Sequence, residues 1–261
     1  MSSGPASTVN TRLGNHWHCL VLHAERLELD DVWRRTSSLL ASLERRGGRA
    51  TLFVHPYSAI ISGFDLTPRL AALMERGHEV GQHTHFYRWQ GGATPPPGKP
   101  RSDLSGENVR RCLDRDRDYL RAAGVEPRGF TSGGWAIVPE LLPWLHRSGF
   151  AYDCSVRSFK LRYDSEPADA GGGWSAPRVE GGIVRLPTTS SLRDALASAM
   201  TRRPSTLPGP GFRYDLAYAH DYDLIRRSQR VAARAVMEVR RPGRWCTAGQ
   251  LAGLIRSEAR P

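Results

Sequence analysis

Five of the nine histidines in the 261-residue chain lie where short apolar runs end. They are His23, His55, His83, His85 and His220. Glu25 follows two residues after His23. Because side chains alternate faces along a strand, we expect His23 and Glu25 to share one face, and His83 and His85 to share another. Two such pairs on nearby strands would form a cluster of imidazoles and a carboxylate, which suits zinc or another divalent transition metal.

Each of these histidines, taken alone, is better explained as a hydrogen-bonded residue at a loop edge. Only their joint placement favours a metal site. The four other histidines lie at the starts of elements or on helices, and we assign them no role; they are His16, His18, His78 and His146. Trp89 and Trp135 come just after predicted strand ends. Both could line a substrate cleft and stack on a sugar ring.

The elements that must position these residues alternate between strand-length apolar runs and longer stretches with helical spacing, which indicates an α/β fold. Seven βα-like units in one series favour a single barrel-like domain, with its functional groups at the carboxyl ends of the strands. Two segments rich in glycine and proline, 168–182 and 202–211, are interpreted as loops. The predicted strands are 17–24, 50–55, 79–85, 129–133, 150–156, 183–187 and 216–220.

The net charge of +11 would suit a nucleic-acid partner or an anionic substrate. However, only two of the 37 basic residues are lysines, which indicates a coding bias toward arginine, and no nucleic-acid-binding motif is present. No apolar stretch is long enough to span a membrane, and the first fifteen residues lack the apolar run of a secretory signal. We therefore expect a cytoplasmic protein that binds neither nucleic acid nor membrane, with its four separated cysteines as buried free thiols.

Six segments resemble, in the right order, the motifs of the NodB-homology polysaccharide deacetylase superfamily, a carbohydrate esterase-like family with allantoinase-like relatives. In chain order they are RATLFVHP, LMERGHEVGQHTHF, GVEPRGFTSGG, GFAYDCSV, GGIVRLPTT and LAYAHDYDL. The resemblance implies a distorted (β/α)7 barrel of the polysaccharide deacetylase type. It further implies a divalent metal, usually zinc, and hydrolysis of an N-acetyl amide on a sugar. We expect a flexible tail over 1–15 and a catalytic domain over 16–257.

The first motif of the family has two aspartates, a general base and a metal ligand, where this chain has His23, Ala24 and Glu25. The resemblance therefore makes Glu25 a ligand, and His23 either the base or a ligand itself. In the second motif His83 matches the first histidine, but Tyr87 stands four residues later. His85 is the nearest substitute, and Tyr87 and His55 remain alternative ligands.

The remaining family positions concern proton transfer and substrate binding. His220 matches the histidine that acts as general acid, and we expect Asp221 or Asp153 to position and charge it. Thr131 replaces the usual arginine of the third motif. We assign Thr131 and Asp153, together with the two tryptophans, to substrate binding.

These expectations together describe a zinc-dependent N-deacetylase. Its substrate would be a small N-acylated amino sugar or a glycosylated intermediate of antibiotic or surface-glycan assembly. One alternative is a hydrolase of cyclic or ureido amides, as in the allantoinase-like branch. The other is an inactive member that binds a sugar or a partner protein.

Overall fold

The computed structural model describes residues 16–88, 102–159, 172–200, 206–209, 212–240 and 244–258, and the predicted tail over 1–15 and Trp89 lie outside them. The first half of the chain alternates strands and helices. In order these are β1 (His16–Ala24), α1 (Asp30–Glu44), β2 (Thr51–Val54), α2 (Tyr57–Ser62), α3 (Thr67–Glu75), β3 (Glu79–Thr84), α4 (Gly106–Ala122) and β4 (Gly129–Ser132).

The second half keeps this alternation and adds two short antiparallel strands. Its elements are α5 (Leu141–Arg147), β5 (Tyr152–Asp153), β6 (Arg178–Glu180), β7 (Ile183–Arg185), β8 (Ser190–Ser191), α6 (Leu192–Met200), β9 (Leu207–Gly209), β10 (Phe212–His220), α7 (Arg227–Val239), β11 (Arg244–Cys246) and α8 (Ala248–Glu258).

The parallel strands follow the order β7-β5-β4-β3-β2-β1-β10-β8. The two edge strands β7 and β8 belong to one continuous segment, residues 183–191, which runs between β5 and β10. Within it Thr188 N–H donates to Val156 O at 2.9 Å and Thr189 N–H donates to Leu216 O at 2.8 Å. This segment therefore serves as one irregular strand that closes the sheet. The result is a distorted barrel with seven parallel strand positions, which confirms the predicted fold class.

Alternation along β1 divides the core into two layers. Leu20 and Leu22 face outward and pack among the helices, whereas Cys19 and Val21 face the barrel interior. His23 continues the inward-facing series, and Glu25 follows in the loop just beyond the strand. In α1 the apolar residues recur with the helical period of 3.6, so Leu39, Leu40 and Leu43 are buried on one face.

All seven predicted strands are present, but several bounds differ. The strand predicted over 150–156 is regular only at Tyr152–Asp153, and β10 begins at Phe212, four residues before its predicted start. The two segments predicted as loops contain β6 and β9, which pair antiparallel with β7 and β10. The sequence also missed α2 and β11, each too short to show a period of its own.

The four cysteines are buried and unbridged, as expected. In the described part of the chain no helix is both long enough and apolar enough to cross a membrane.

Candidate active site

Three imidazoles converge on one carboxylate oxygen at the carboxyl end of the barrel. Glu25 Oε1 lies 3.1 Å from His85 Nε2, 3.3 Å from His83 Nε2 and 3.7 Å from His220 Nε2. The sequence placed these residues at the ends of three strands, and the barrel brings the strand ends together. Ligating atoms of Glu25, His83 and His85 all lie within 4.8 Å of one another, so this trio could hold a metal ion.

The backbone that carries Glu25 is fixed by the side chain of Asp221. This carboxylate accepts hydrogen bonds from the backbone N–H groups of Glu25 at 3.1 Å, Arg26 at 2.9 Å and Tyr222 at 2.8 Å. Burial raises the pKa of Asp221 to about 7 even though the three backbone donors oppose the shift. Asp221 therefore ties the end of β10 to the loop after β1, where the candidate ligand lies.

His83 is oriented by the backbone of β4. Its Nδ1 lies 3.0 Å from the carbonyl oxygen of Thr131, which can only accept a hydrogen bond, so Nδ1 is the protonated nitrogen. The Nε2 lone pair then faces the carboxylate of Glu25, and two acceptors at this distance require a shared proton or a cation between them. The donor chemistry of the trio thus fits a divalent metal, with one carbonyl bond fixing the histidine tautomer.

The charge state of the trio follows from its surroundings. Burial would raise the pKa of Glu25, but the influence of the neighbouring His83 and His85 outweighs burial and holds the pKa far below its usual range. Burial lowers the pKa of His85 to about 4. The carboxylate is thus ionised at neutral pH, and His85 offers a lone pair, as a metal ligand must.

His23 is a buried imidazole next to this trio. Its ring centroid lies 4.7 Å from that of His83 and 5.5 Å from that of His220. Its Nε2 has no hydrogen-bond partner among the described residues. Burial first, and then the neighbouring His83 and His220, lower the pKa of His23 well below the usual value. The residue is therefore neutral at neutral pH and able to accept a proton.

His220 has the opposite tendency. Its Nδ1 lies 3.3 Å from Asp223 Oδ2, and although burial opposes the shift, this hydrogen bond and the charge of Glu25 raise the pKa of His220. We expected Asp221 or Asp153 to hold this ring, but neither carboxylate forms a hydrogen bond with His220. Asp221 is occupied by three backbone groups and adds only its charge, while the hydrogen-bonded partner is Asp223 in the turn that follows.

Two predicted substrate-binding residues are occupied elsewhere. Asp153 is fully buried, forms an ion pair with Arg185 Nε at 2.8 Å, and accepts hydrogen bonds from Ser155. The Thr131 hydroxyl donates to the carbonyl of Cys154 at 3.3 Å. Among the described residues, neither side chain forms a hydrogen bond or ion pair with the candidate trio, which Thr131 reaches through its backbone carbonyl.

The two alternative ligands flank the trio rather than joining it. Tyr87 stacks on His85, with ring centroids 4.8 Å apart, and burial raises the pKa of Tyr87 to about 12. His55 also packs against His85, with ring centroids 5.0 Å apart, and its Nδ1 lies 3.2 Å from the carbonyl oxygen of His83. Both residues help to set the orientation of His85 by packing.

An aromatic wall borders the cluster on the side of His23, and of its members the sequence predicted only Trp135. The ring centroid of Trp135 lies 5.6 Å from that of His23 and 5.3 Å from that of Tyr218. Tyr218 stacks in turn on Phe159, with ring centroids 6.1 Å apart. Trp135 has a φ of 59°, a backbone conformation that is costly for a bulky side chain and is typical of functional sites. Period-2 spacing from His220 would have identified Tyr218, and the i, i+3 spacing would have identified Asp223.

Comparison with known proteins bears on the family. Residues 26–139 match the family model described as polysaccharide deacetylase. No curated protein matches the sequence. A protein from Mycobacterium smegmatis assigned to the polysaccharide deacetylases has a similar structure, with a TM-score of 0.63 and 15% identity over 99% of both chains.

Two further solved structures share the fold. The peptidoglycan deacetylase PdaC from Bacillus subtilis has a TM-score of 0.54 and 15% identity, covering 94% of this chain and 93% of its own. A family 4 acetyl xylan esterase from Clostridium thermocellum, solved with a cobalt ion, has a TM-score of 0.54 and 13% identity over 91% of each chain. Residues 26–139 thus match the polysaccharide deacetylase model, and the chain shares its fold with solved structures described as deacetylases, which confirms the predicted resemblance.

Proposed function

We propose that the protein is a metal-dependent hydrolase that removes an N-acetyl group from an amino sugar. The observation that carries this proposal is the convergence of three imidazoles on Glu25 at the carboxyl end of the barrel, with the unpaired His23 beside them. The deacetylase family match and fold make an N-acetyl amide the preferred substrate bond.

Glu25, His83 and His85 are the residues that would hold the metal, and zinc is the preferred ion, since two imidazoles and a carboxylate are a common catalytic zinc set. When bound, a divalent metal in such a site supplies a Lewis acid for the amide carbonyl and lowers the pKa of a water molecule. Asp221 and the Thr131 carbonyl hold the first two ligands in place, while packing by Tyr87 and His55 supports the third.

The proton transfers are assigned to the two remaining histidines. His23 accepts the proton of the attacking water at its free Nε2. His220, held by Asp223, donates a proton to the departing nitrogen, which is a very poor leaving group without it. The amide carbon gains the water oxygen, its bond to nitrogen breaks, and the products are acetate and the free amine.

The aromatic wall indicates where a sugar would lie. Trp135 and Tyr218 border His23, and aromatic rings pack well against the apolar faces of sugars. We assign the substrate to the small N-acylated sugars and glycosylated biosynthetic intermediates, in line with the expectation of a cytoplasmic protein.

The test is acetate release from a panel of N-acetylated sugars, run beside ring opening of cyclic ureides. We expect acetate from at least one sugar, and a loss of about 10²–10⁴ in kcat for His220→Gln. His146→Gln serves as the matched control, because His146 is exposed and lies far from the site along the chain. Ring opening without acetate release would support the allantoinase-like alternative, and saturable sugar binding with neither reaction would support a binding role.

A further inference from the structure

A second group of two imidazoles and one carboxylate lies at the opposite end of the barrel, where β1 begins. His16 and His18 are two residues apart on β1, so they share a face, and His18 is in register with Asp215 of β10. The ring centroids of the two histidines are 4.5 Å apart. One ligating atom from each of the three residues lies within 4.8 Å of the others. Three potential metal ligands therefore meet on the outer face of the sheet.

The group is enclosed but accessible from one side. Asp215 and His18 are only 2% and 5% exposed, whereas the side chain of His16 is 29% exposed. The proposed amide hydrolysis uses none of these residues. They are separated from Glu25 by most of the length of the strands, because His16 and His18 precede His23 on β1 by seven and five positions, and Asp215 precedes His220 on β10 by five.

Hydrogen bonding leaves part of this group unsatisfied. His18 Nδ1 lies 2.7 Å from Asp215 Oδ2, but His16 Nε2 is 3.5 Å from the same oxygen. His16 Nε2 is buried and has no hydrogen-bond partner among the described residues, whereas Asp215 Oδ1 is paired with Arg240. Leaving a buried polar atom unpaired costs stability, so the position of His16 Nε2 favours a ligand that satisfies it.

Arg240 defines which carboxylate oxygen is available. Its Nη1 lies 3.1 Å from Oδ1 of Asp215, on the side away from the histidines, so Oδ2 is the oxygen that faces both imidazoles. Outer partners of this kind commonly orient the carboxylate ligand of a metal. A metal ion would replace the proton that His18 Nδ1 and Asp215 Oδ2 now share, and would bond to His16 Nε2.

We propose that His16, His18 and Asp215 bind a divalent transition-metal ion of the zinc class, in a structural site separate from the catalytic one. Two nitrogen ligands and one carboxylate match the preference of zinc and exclude calcium and magnesium, which favour all-oxygen sites. Solvent beside His16 can supply the remaining ligand. The ion would join the beginning of β1 to β10, two strands that pair in parallel over eight positions.

The test is zinc stoichiometry by elemental analysis after equilibrium dialysis, on four forms of the full chain. These are the wild type, His83→Ala, His16→Ala and the double variant. His16 is the residue to replace because its side chain is partly exposed, so its loss should disturb folding least among the three ligands. His146→Ala, at an exposed histidine, is the matched control. We expect one zinc in His83→Ala and none in the double variant, with His146→Ala unchanged from wild type.

Separate outcomes distinguish this proposal from the catalytic one. If His16→Ala retains as much zinc as wild type while His83→Ala loses it, the second site does not exist and the catalytic metal stands. If His83→Ala and wild type bind equally and His16→Ala loses its zinc, the second site stands and the catalytic metal does not.

Two further measurements guard against a misfolded variant. With Cu²⁺ loaded into His83→Ala, the electron paramagnetic resonance spectrum should show coupling to two imidazole nitrogens, and one nitrogen would overturn the assignment. In the same background, zinc at 100 times its Kd should raise the Tm by roughly 5–10 °C, and His16→Gln should abolish the shift. If zinc leaves the Tm of the His83→Ala protein unchanged, the proposal is likewise overturned.

Discussion

Replacing Gly133 with alanine should weaken metal binding without unfolding the protein, because this glycine lies against the ring of His85. A Cβ added at Gly133 would lie 2.2 Å from His85 Cγ and 2.3 Å from Nδ1. Carbon atoms in contact are about 3.5 Å apart, so the ring must move away by more than ~1 Å. The residue at 133 therefore controls where the third ligand of the candidate trio can lie.

The expected size of the effect follows from the tolerance of metal coordination. Metal–ligand distances vary by only about 0.2 Å in functional sites, so a displacement several times larger removes His85 as a ligand. Altering an outer partner of a ligand already costs 10–100-fold in affinity, and loss of the ligand itself should cost at least ~100-fold, or about 2.7 kcal/mol.

The assay is zinc affinity by competition with a chromophoric chelator, with folding checked by circular dichroism. Gly134→Ala is the matched control, because Gly134 has a φ of 63° and nothing within 4 Å of an added Cβ. The control should lose about 1–2 kcal/mol of stability through its backbone conformation and still bind zinc as wild type does. A folded Gly133→Ala protein that binds zinc within threefold of wild type would refute the placement of His85 in the metal site.

Three other outcomes are expected. Asp223→Asn should lower the pKa of His220, so the fall in kcat/KM at high pH, which follows deprotonation of a general acid, should move to lower pH; an unmoved limb in a pH–rate profile would contradict this. Asp153→Ala should lower the free energy of unfolding by about 3 kcal/mol, because the buried Arg185 loses its buried partner and keeps only Glu180 at the protein surface. Loss of the exposed Glu126 should cost less than about 0.5 kcal/mol, and equal costs would contradict the ion-pair argument. The cysteines should resist a thiol reagent until the protein unfolds, because burial raises the pKa of Cys112 to about 11 and encloses the others, and rapid labelling of the native protein would contradict that burial.

The order of the elements could be predicted because the pattern of apolar residues is local. The strands that carry His23, His83 and His220 were all identified, and the helices between them required the strands to be parallel. Short elements were missed for the same reason, since six residues of α2 or three of β11 hold too few positions to define a period. The pairing of β1 with β10 was also beyond local pattern, because the two strands lie near opposite ends of the chain.

The histidines at strand ends illustrate how far sequence reasoning extends toward the site. Their residue types and positions indicated metal chemistry, and the parallel fold required them to meet at one end. The partners of each side chain did not follow. Asp221 binds the backbone of Glu25 across 196 residues of sequence, and Asp153 is drawn to Arg185 rather than to His220.

The sequence by itself determined the α/β class, the family resemblance and the residues that could do chemistry, because these depend on composition and short-range spacing. Only the tertiary structure decided which atoms meet. Glu25 Oε1 lies at the centre of three imidazoles because β1, β3 and β10 end at one rim, and His16 and His18 join Asp215 because β1 and β10 pair in a particular register. The register of the strands, and the end of the barrel at which they meet, are set by packing between segments distant in sequence. A pattern of neighbouring residues therefore cannot predict them.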